Sequence, residues 1–308
     1  MIEQQIRTPF TDLVGVRHPV VQTGMGWVSG ARLVSGTANA GGLGILASAT
    51  MSYEELEKAI VEVKGRTDAP FGVNLRADAS DAPQRVELLI EHGVKVASFA
   101  LQPKPELVTR LKDHGIVVMP SIGAAKHAIK VAGWGADAVM VQGGEGGGHT
   151  GPVPTTLLLP SVLDALASVG SDIPVVAAGG FFDGRGLAAA LSYGVEEVEE
   201  TSRLRRLAPT ARRTLEFKKD SGMSWLGLAK DGRAMKKASG RTLGQMALAA
   251  NTPTMLKAGL VEGDTSAGVL ASGQVVGMID DLPTCEELID RVVTGAAQEL
   301  GRAASYVV

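Results

Sequence analysis

The sequence predicts an α/β protein built on a parallel sheet, and three observations carry that prediction. Seven short apolar runs alternate with longer stretches of helical periodicity from residue 19 onward. The runs are almost continuously apolar, as in strands buried on both faces, rather than alternating as in a half-exposed sheet. Glycines fall where the intervening helices should stop. An open doubly wound sheet and a closed (β/α)8 barrel both satisfy this pattern.

The strands are expected at residues 19–22, 43–46, 71–75, 96–99, 116–120, 138–142 and 174–178. Helices are expected between them, over 31–40, 53–63, 83–91, 105–113, 124–132 and 157–167, with Ser52 as an N-cap. Gly93, Gly115, Gly135 and Gly170 sit where four of these helices end. A further helix starts near Gly186. Seven units leave a barrel one strand short, and the residues after Gly194 do not read as the eighth. The stretch VEEVEETSRLRRLAPTARRTLEFKKD is highly charged, and its Val195, Val198, Leu204 and Leu207 have mostly helical spacing. Helices are expected again over 241–250, 274–279 and 284–306. The chain thus divides into residues 1–194, carrying strands one to seven, and 195–308, a charged helical insert plus C-terminal helices packing on the barrel.

Composition narrows the function. At 45% apolar residues the chain can bury a large core. A net charge of -3 argues against a broad nucleic-acid surface. Cys285 is the only cysteine, which excludes a disulfide framework and a Cys-based metal site. No apolar run approaches the roughly 20 residues needed to span a membrane, and a cytoplasmic protein is expected.

Ligands of parallel α/β proteins sit at the carboxyl ends of the strands. Glycine clusters stand there: TGMGW (23–27), QGGEGGGHTG (142–151) and AAGG (177–180). Without Cβ atoms, such loops can pass close to a phosphate or a planar ring. The AAGG turn, with Asp183 and the helix behind it, reads as a phosphate cradle feeding a helix N-terminus. Gly146, Gly148 and Gly151 match G-x-G-x-x-G, but Pro152 and Pro154 come next, where a dinucleotide fingerprint needs a helix. His149 is the one histidine in a glycine-rich strand-end loop, and its imidazole suits acid–base work. His18, His92, His114 and His127 read as structural or solvated. Glu145 could serve as a second acid, with an ordinary loop glutamate the commoner outcome. The run Arg203, Arg205, Arg206, Arg212, Arg213, Lys218, Lys219 reads as a solvated helix face, with phosphates of coenzyme A or an acyl carrier as the alternative.

HPVVQTGMGW, NAGGLGIL, FGVNLRAD, MVQGGEGGGHTG and VVAAGGFFDGRGLAAAL, in this order over residues 8–194, resemble the nitronate monooxygenase (2-nitropropane dioxygenase) family, which includes enoyl-acyl-carrier-protein reductase II. Similarity returns at 259–279. The resemblance implies a TIM barrel that binds FMN non-covalently, with NAD(P)H as the candidate electron donor. Carried over by motif, Met25 and Gly26 lie at the flavin ring, Asn74 and Gln142 bond its polar edge, and Ser121 sits near it. Gly147 and Gly148 pass close to the flavin, Gly179 and Gly180 bind the phosphate, and His149 is the catalytic base. Within the family the chain is most similar to actinobacterial flavoproteins of steroid-ring degradation that act on CoA thioesters. Expected partners are a small nitronate or acyl-CoA substrate and a second copy of the chain in a homodimer, with no metal.

One departure stands out. Family members carry an eighth strand with a G-V-x-M-G-T-R-F-like motif that completes the phosphate site; here Gly194 runs into Val195-Glu196-Glu197-Val198. The expectation is that no eighth strand is present and that a segment containing at least a strand and its loops, roughly a dozen residues, is absent after Gly194. Three functional readings stand: a nitronate-oxidising flavoenzyme, an enoyl-CoA/ACP reductase or dehydrogenase of steroid catabolism, and a cofactor-free binding protein.

Overall fold

The computed structural model describes residues 5–101, 103–148, 150–195, 197–199, 255–264, 268 and 271–307. Two compact units are present, one formed by Met1–Ser202 with Ser272–Val308 and the other by Arg203–Ala271. In the second, residues 255–260 are helical, with Met255 and Ala258 buried. The helix expected over 241–250 lies outside the described residues.

The first unit is a closed barrel of eight parallel strands in sequential order. These are β1 (Val20–Gln22), β2 (Leu43–Ala47), β3 (Phe71–Arg76), β4 (Val96–Ala100), β5 (Val117–Ile122), β6 (Val139–Gln142), β7 (Val175–Ala178) and β8 (Glu197–Glu199). Around it run α2 (Ala31–Asn39), α3 (Tyr53–Lys64), α4 (Ala82–Glu91), α5 (Pro105–Lys112), α6 (Ala125–Gly133), α7 (Thr155–Ser168) and α8 (Gly184–Ser192). A preceding helix α1 (Pro9–Val14) and a final helix α9 (Cys285–Ala304) complete it. Ser52 caps α3 in a reciprocal capping box with Glu55. The four helix-ending glycines all have positive φ, between 62° at Gly93 and 81° at Gly135, as a left-handed C-terminal position requires.

The eighth strand corrects the sequence expectation. Glu197–Glu199 pairs with β7 through Val176↔Glu197 and Ala178↔Glu199, and with β1 through Val20↔Val198 and Val21↔Glu199. Ladder hydrogen bonds use main-chain groups, so a short acidic segment can close a barrel that its side-chain pattern does not advertise. Val198 is accordingly in a strand, not a helix. The 274–279 helix is a 3-10 turn over Gln274–Met278.

Alternation along the strands separates two environments. Val21, Leu43, Ile45, Val96, Val117, Met119, Ala138, Met140, Val176 and Ala178 form the inner core, together with Phe10, Val14 and Val16. Helix α1, which strand–helix periodicity does not announce, therefore plugs the amino-terminal end of the barrel. The outward residues pack under the helices in two further clusters. Helix α9 packs against α8 and α2 and so fills the place of the eighth barrel helix. The approach is close at Gly184, where an added Cβ would overlap the backbone of Gly295 and Ala296.

Phe10 is fully buried in the inner core. Phe10→Ala is expected to cost about 3–5 kcal/mol in urea unfolding; a loss below about 1 kcal/mol would show that α1 is no plug.

Candidate active site at the carboxyl end of the barrel

One layer above the apolar inner core, the same strand faces turn polar. Thr23 comes two residues after Val21, Ser98 two after Val96, Ser121 two after Met119 and Gln142 two after Met140, while Asn74 is in register with both Ala47 and Ser98. Asn74 Nδ2 donates to Ser98 Oγ at 3.1 Å, and Thr23 Oγ1 and Ser121 Oγ lie 3.9 and 3.6 Å from the Met140 sulfur. Met140 is thus the floor, with a polar ring around it. Asn74 is buried, and with one Nδ2 hydrogen on Ser98, its Oδ1 and second N–H remain for a ligand.

The loop after β1 is pinned from beneath. Gln22 Nε2 shares its two hydrogens among Thr23 O, Ser29 Oγ at 2.8 Å and Ile45 O at 3.3 Å. Ser29 Oγ donates to Thr23 O at 2.7 Å and accepts from the Met25 amide at 2.9 Å. Met25 and Gly26 are half-buried on this rim. Arg85 holds the next loop, donating to Ser48 O at 2.9 Å and Met51 O at 2.8 Å while pairing with Asp81. Trp27 and Leu101, just beyond the ends of β1 and β4, are non-glycine residues with φ of 61° and 69°. Left-handed backbone at such residues costs roughly 1–2 kcal/mol each, and strain of this kind collects at functional rims.

Opposite lies the loop after β6. Gln142 Nε2 donates to Gly147 O at 3.1 Å, so this amide braces the loop as well as edging the mouth. Gly148 has φ 78° and is exposed. His149 lies outside the described residues. Gly147 packs on Ser272 and Gly273, and Gln274 N donates to Glu145 O at 2.9 Å. Glu145 is half-buried with its carboxylate bonded to Thr155, which leaves it a structural role.

Gly179 and Gly180 come directly after β7 with φ of 99° and 84°, a turn closed to residues with a Cβ. The helix behind them is not an open anion site. Asp183 caps α8, accepting from the amides of Arg185 at 3.0 Å and Gly186 at 3.3 Å, and it pairs with the Arg185 side chain. Although partial burial works the other way, the bonds from Arg185 and Gly186 hold the Asp183 carboxyl below the usual carboxylate range. The expected helix N-terminus is therefore already filled by a carboxylate.

A flavin was the cofactor the motifs implied. The apolar Met140 floor and the polar ring of Asn74, Ser121 and Gln142 fit a planar ring with a polar edge. Toward a phosphate the described residues offer the Gly179–Gly180 turn, while Asp183 occupies the N-terminus of α8. Gln22, Ser98, Glu145 and Thr155 were missed as site-shaping residues. The first two had a signal, since each is polar in an otherwise apolar strand. Among the described residues no cluster of His, Cys, Asp or Glu could hold a metal ion, and no helix is long and apolar enough to cross a membrane.

A (β/α)8 barrel with a polar ring and glycine-rich loops at its carboxyl end is built as a small-molecule enzyme. The family model for nitronate monooxygenase matches residues 7–295, and the chain belongs to that family of oxidoreductases. It is 58% identical to (3aS,4S,5R,7aS)-5-hydroxy-7a-methyl-1-oxo-octahydro-1H-indene-4-carboxyl-CoA dehydrogenase of Rhodococcus jostii (strain RHA1), covering 96% of this chain and 97% of that one. The Mycobacterium tuberculosis (strain ATCC 25618 / H37Rv) protein of the same name is 55% identical, with 98% and 99% covered. Among solved structures, FabK from Thermotoga maritima superposes with a TM-score of 0.79 at 29% identity, over 98% of this chain and all of that one (100%). The Rhodococcus alignment runs over 347 positions against 308 residues here, so at least 39 positions of the relative have no counterpart in this chain.

Asp183→Ala is expected to lower stability by about 1 kcal/mol at pH 7 through loss of the cap. The Asp183 pKa is depressed on folding, so its contribution is present above the unfolded value of about 3.9 and is lost as pH falls through the folded one. Urea midpoints of the two proteins should therefore converge toward pH 2; a gap constant from pH 7 to pH 2 would contradict this.

Proposed function

We propose that the protein is an FMN-dependent dehydrogenase acting on the CoA thioester of a fused alicyclic acid, in steroid-ring catabolism. The observation that carries this is the 58% identity extending over 96% of the chain to a dehydrogenase of such a thioester. The polar ring supports it by matching a flavin edge. Bound there, the flavin would supply the electron acceptor.

The chain's own part is placement and proton handling. Asn74, Ser121 and Gln142 orient the ring over the Met140 floor. Met25 and Gly26 line it from the β1 loop, and Gly147 and Gly148 allow close backbone passage on the opposite side. His149, in the loop after β6, takes the substrate proton. Trp27 and the exposed Leu101 are apolar groups at the rim that suit an alicyclic body. The Gly179–Gly180 turn holds the phosphate. We infer that the relatives' additional positions include the strand expected after Gly194, so that β8 is built here from the next residues along the chain.

Anaerobic titration of the flavin-loaded protein separates the readings. The indene-carboxyl-CoA thioester should bleach flavin absorbance faster than propane-2-nitronate or NADPH, and His149→Ala should slow bleaching by about 10²–10⁴-fold. Bleaching by nitronate alone would reassign the substrate. Unchanged rates in His149→Ala would remove the base.

A further inference from the structure

We propose that Glu145 and Thr155 form a latch that positions the His149 loop against the Gly179–Gly180 turn; this rests on His149 being the base. Pro154, preceding α7, has no side-chain acceptor, and the first helical amide is served from ten residues upstream instead. Both Glu145 carboxylate oxygens accept from the Thr155 amide, at 3.0 and 2.9 Å, and Oε2 lies 2.7 Å from Thr155 Oγ1. A carboxylate at a helix N-terminus is favoured by the unpaired amides and the helix dipole. Thr155 is buried, and its Oγ1 also lies 2.9 Å from Gly179 O.

One residue therefore touches both glycine-rich loops. The Thr155 hydroxyl has a single hydrogen to donate, to Glu145 or to Gly179, while its amide stays on Glu145. Around this point the packing leaves no slack. A Cβ on Gly143 would overlap Thr155, and one on Gly179 would come within 2.9 Å of Gly146 N and 3.1 Å of Gly143 O. The Gly143 amide donates to Ala178 O at 2.9 Å and the Gly144 amide to Val153 O at 2.8 Å, closing the loop at its base. Glu145 O is held from the far side by Gln274 N at 2.9 Å. Glu145 and Thr155 are positioning residues, acting through the loop that carries His149.

The test uses full-length Thr155→Val, which keeps the shape and the amide but removes the hydroxyl, with Thr155→Ser as rescue and Glu145→Gln as the second arm. Amide exchange over residues 143–150 should quicken in Thr155→Val and Glu145→Gln and return to wild type in Thr155→Ser. With whichever of the acyl-CoA thioester or propane-2-nitronate bleaches the flavin, kcat should fall about tenfold or more. With flavin saturating, KM should stay within about twofold, by the same argument that misplacement hurts the chemical step. Unchanged exchange would overturn the latch. Faster exchange with unchanged kcat, while His149→Ala is inactive, would overturn its positioning role. If His149→Ala turns over normally, the catalytic reading falls, and the exchange comparison alone decides the latch.

Discussion

Closure of the sheet between β7 and β1 depends on three residues of backbone, Glu197–Glu199. Without them, both neighbours would present unpaired ladder groups along a full edge, at about 1–3 kcal/mol for each group buried without a partner. The inner core explains why closure is worth having. Val21 from β1 and Val176 and Ala178 from β7 share one cluster with Met140 and the α1 plug, so an open seam would admit water to the centre of the barrel. Helix α9 completes the outer layer where α8 and α2 would otherwise be left apart, and Gly184 lets its backbone come close enough to do so.

Carboxyl-end phosphate sites in barrels are commonly made by the loops after strands seven and eight. Here the first of those loops keeps its glycine turn, while the second strand is glutamate-rich and the neighbouring helix N-terminus is capped by Asp183. The ring end has no such conflict. Asn74, Ser121 and Gln142 rise from β3, β5 and β6, while Gln142 is in register with Ala178 of β7 and Thr23 joins the ring from the end of β1.

Much of the architecture was legible because parallel strands are buried on both faces and leave unbroken apolar runs. The four helix-ending glycines were legible because a left-handed C-terminal residue tolerates little else. Helix α1 is six residues long, too short for periodicity to mark it, and is recognisable by Thr8 capping it before Pro9. Strand β8 was illegible because main-chain pairing leaves no trace in side-chain pattern. Asn74, Ser121 and Gln142, singled out through motifs, share one polar layer at the carboxyl end of the barrel. Glu145 was not reachable in its actual role. Its partner Thr155 is ten residues away, across a loop whose path no local pattern fixes.

The proposed site would hold a flavin ring through Asn74, Ser121 and Gln142 and its phosphate chiefly through the Gly179–Gly180 turn. Fluorescence-quenching titration of the apoprotein with FMN and with riboflavin measures this directly. The account predicts that both bind and that FMN gains less than about tenfold over riboflavin, about 1.4 kcal/mol, the size of one ordinary net hydrogen bond. A preference for FMN of about a thousandfold or more, the equivalent of roughly 4 kcal/mol, would contradict it and require a complete phosphate site.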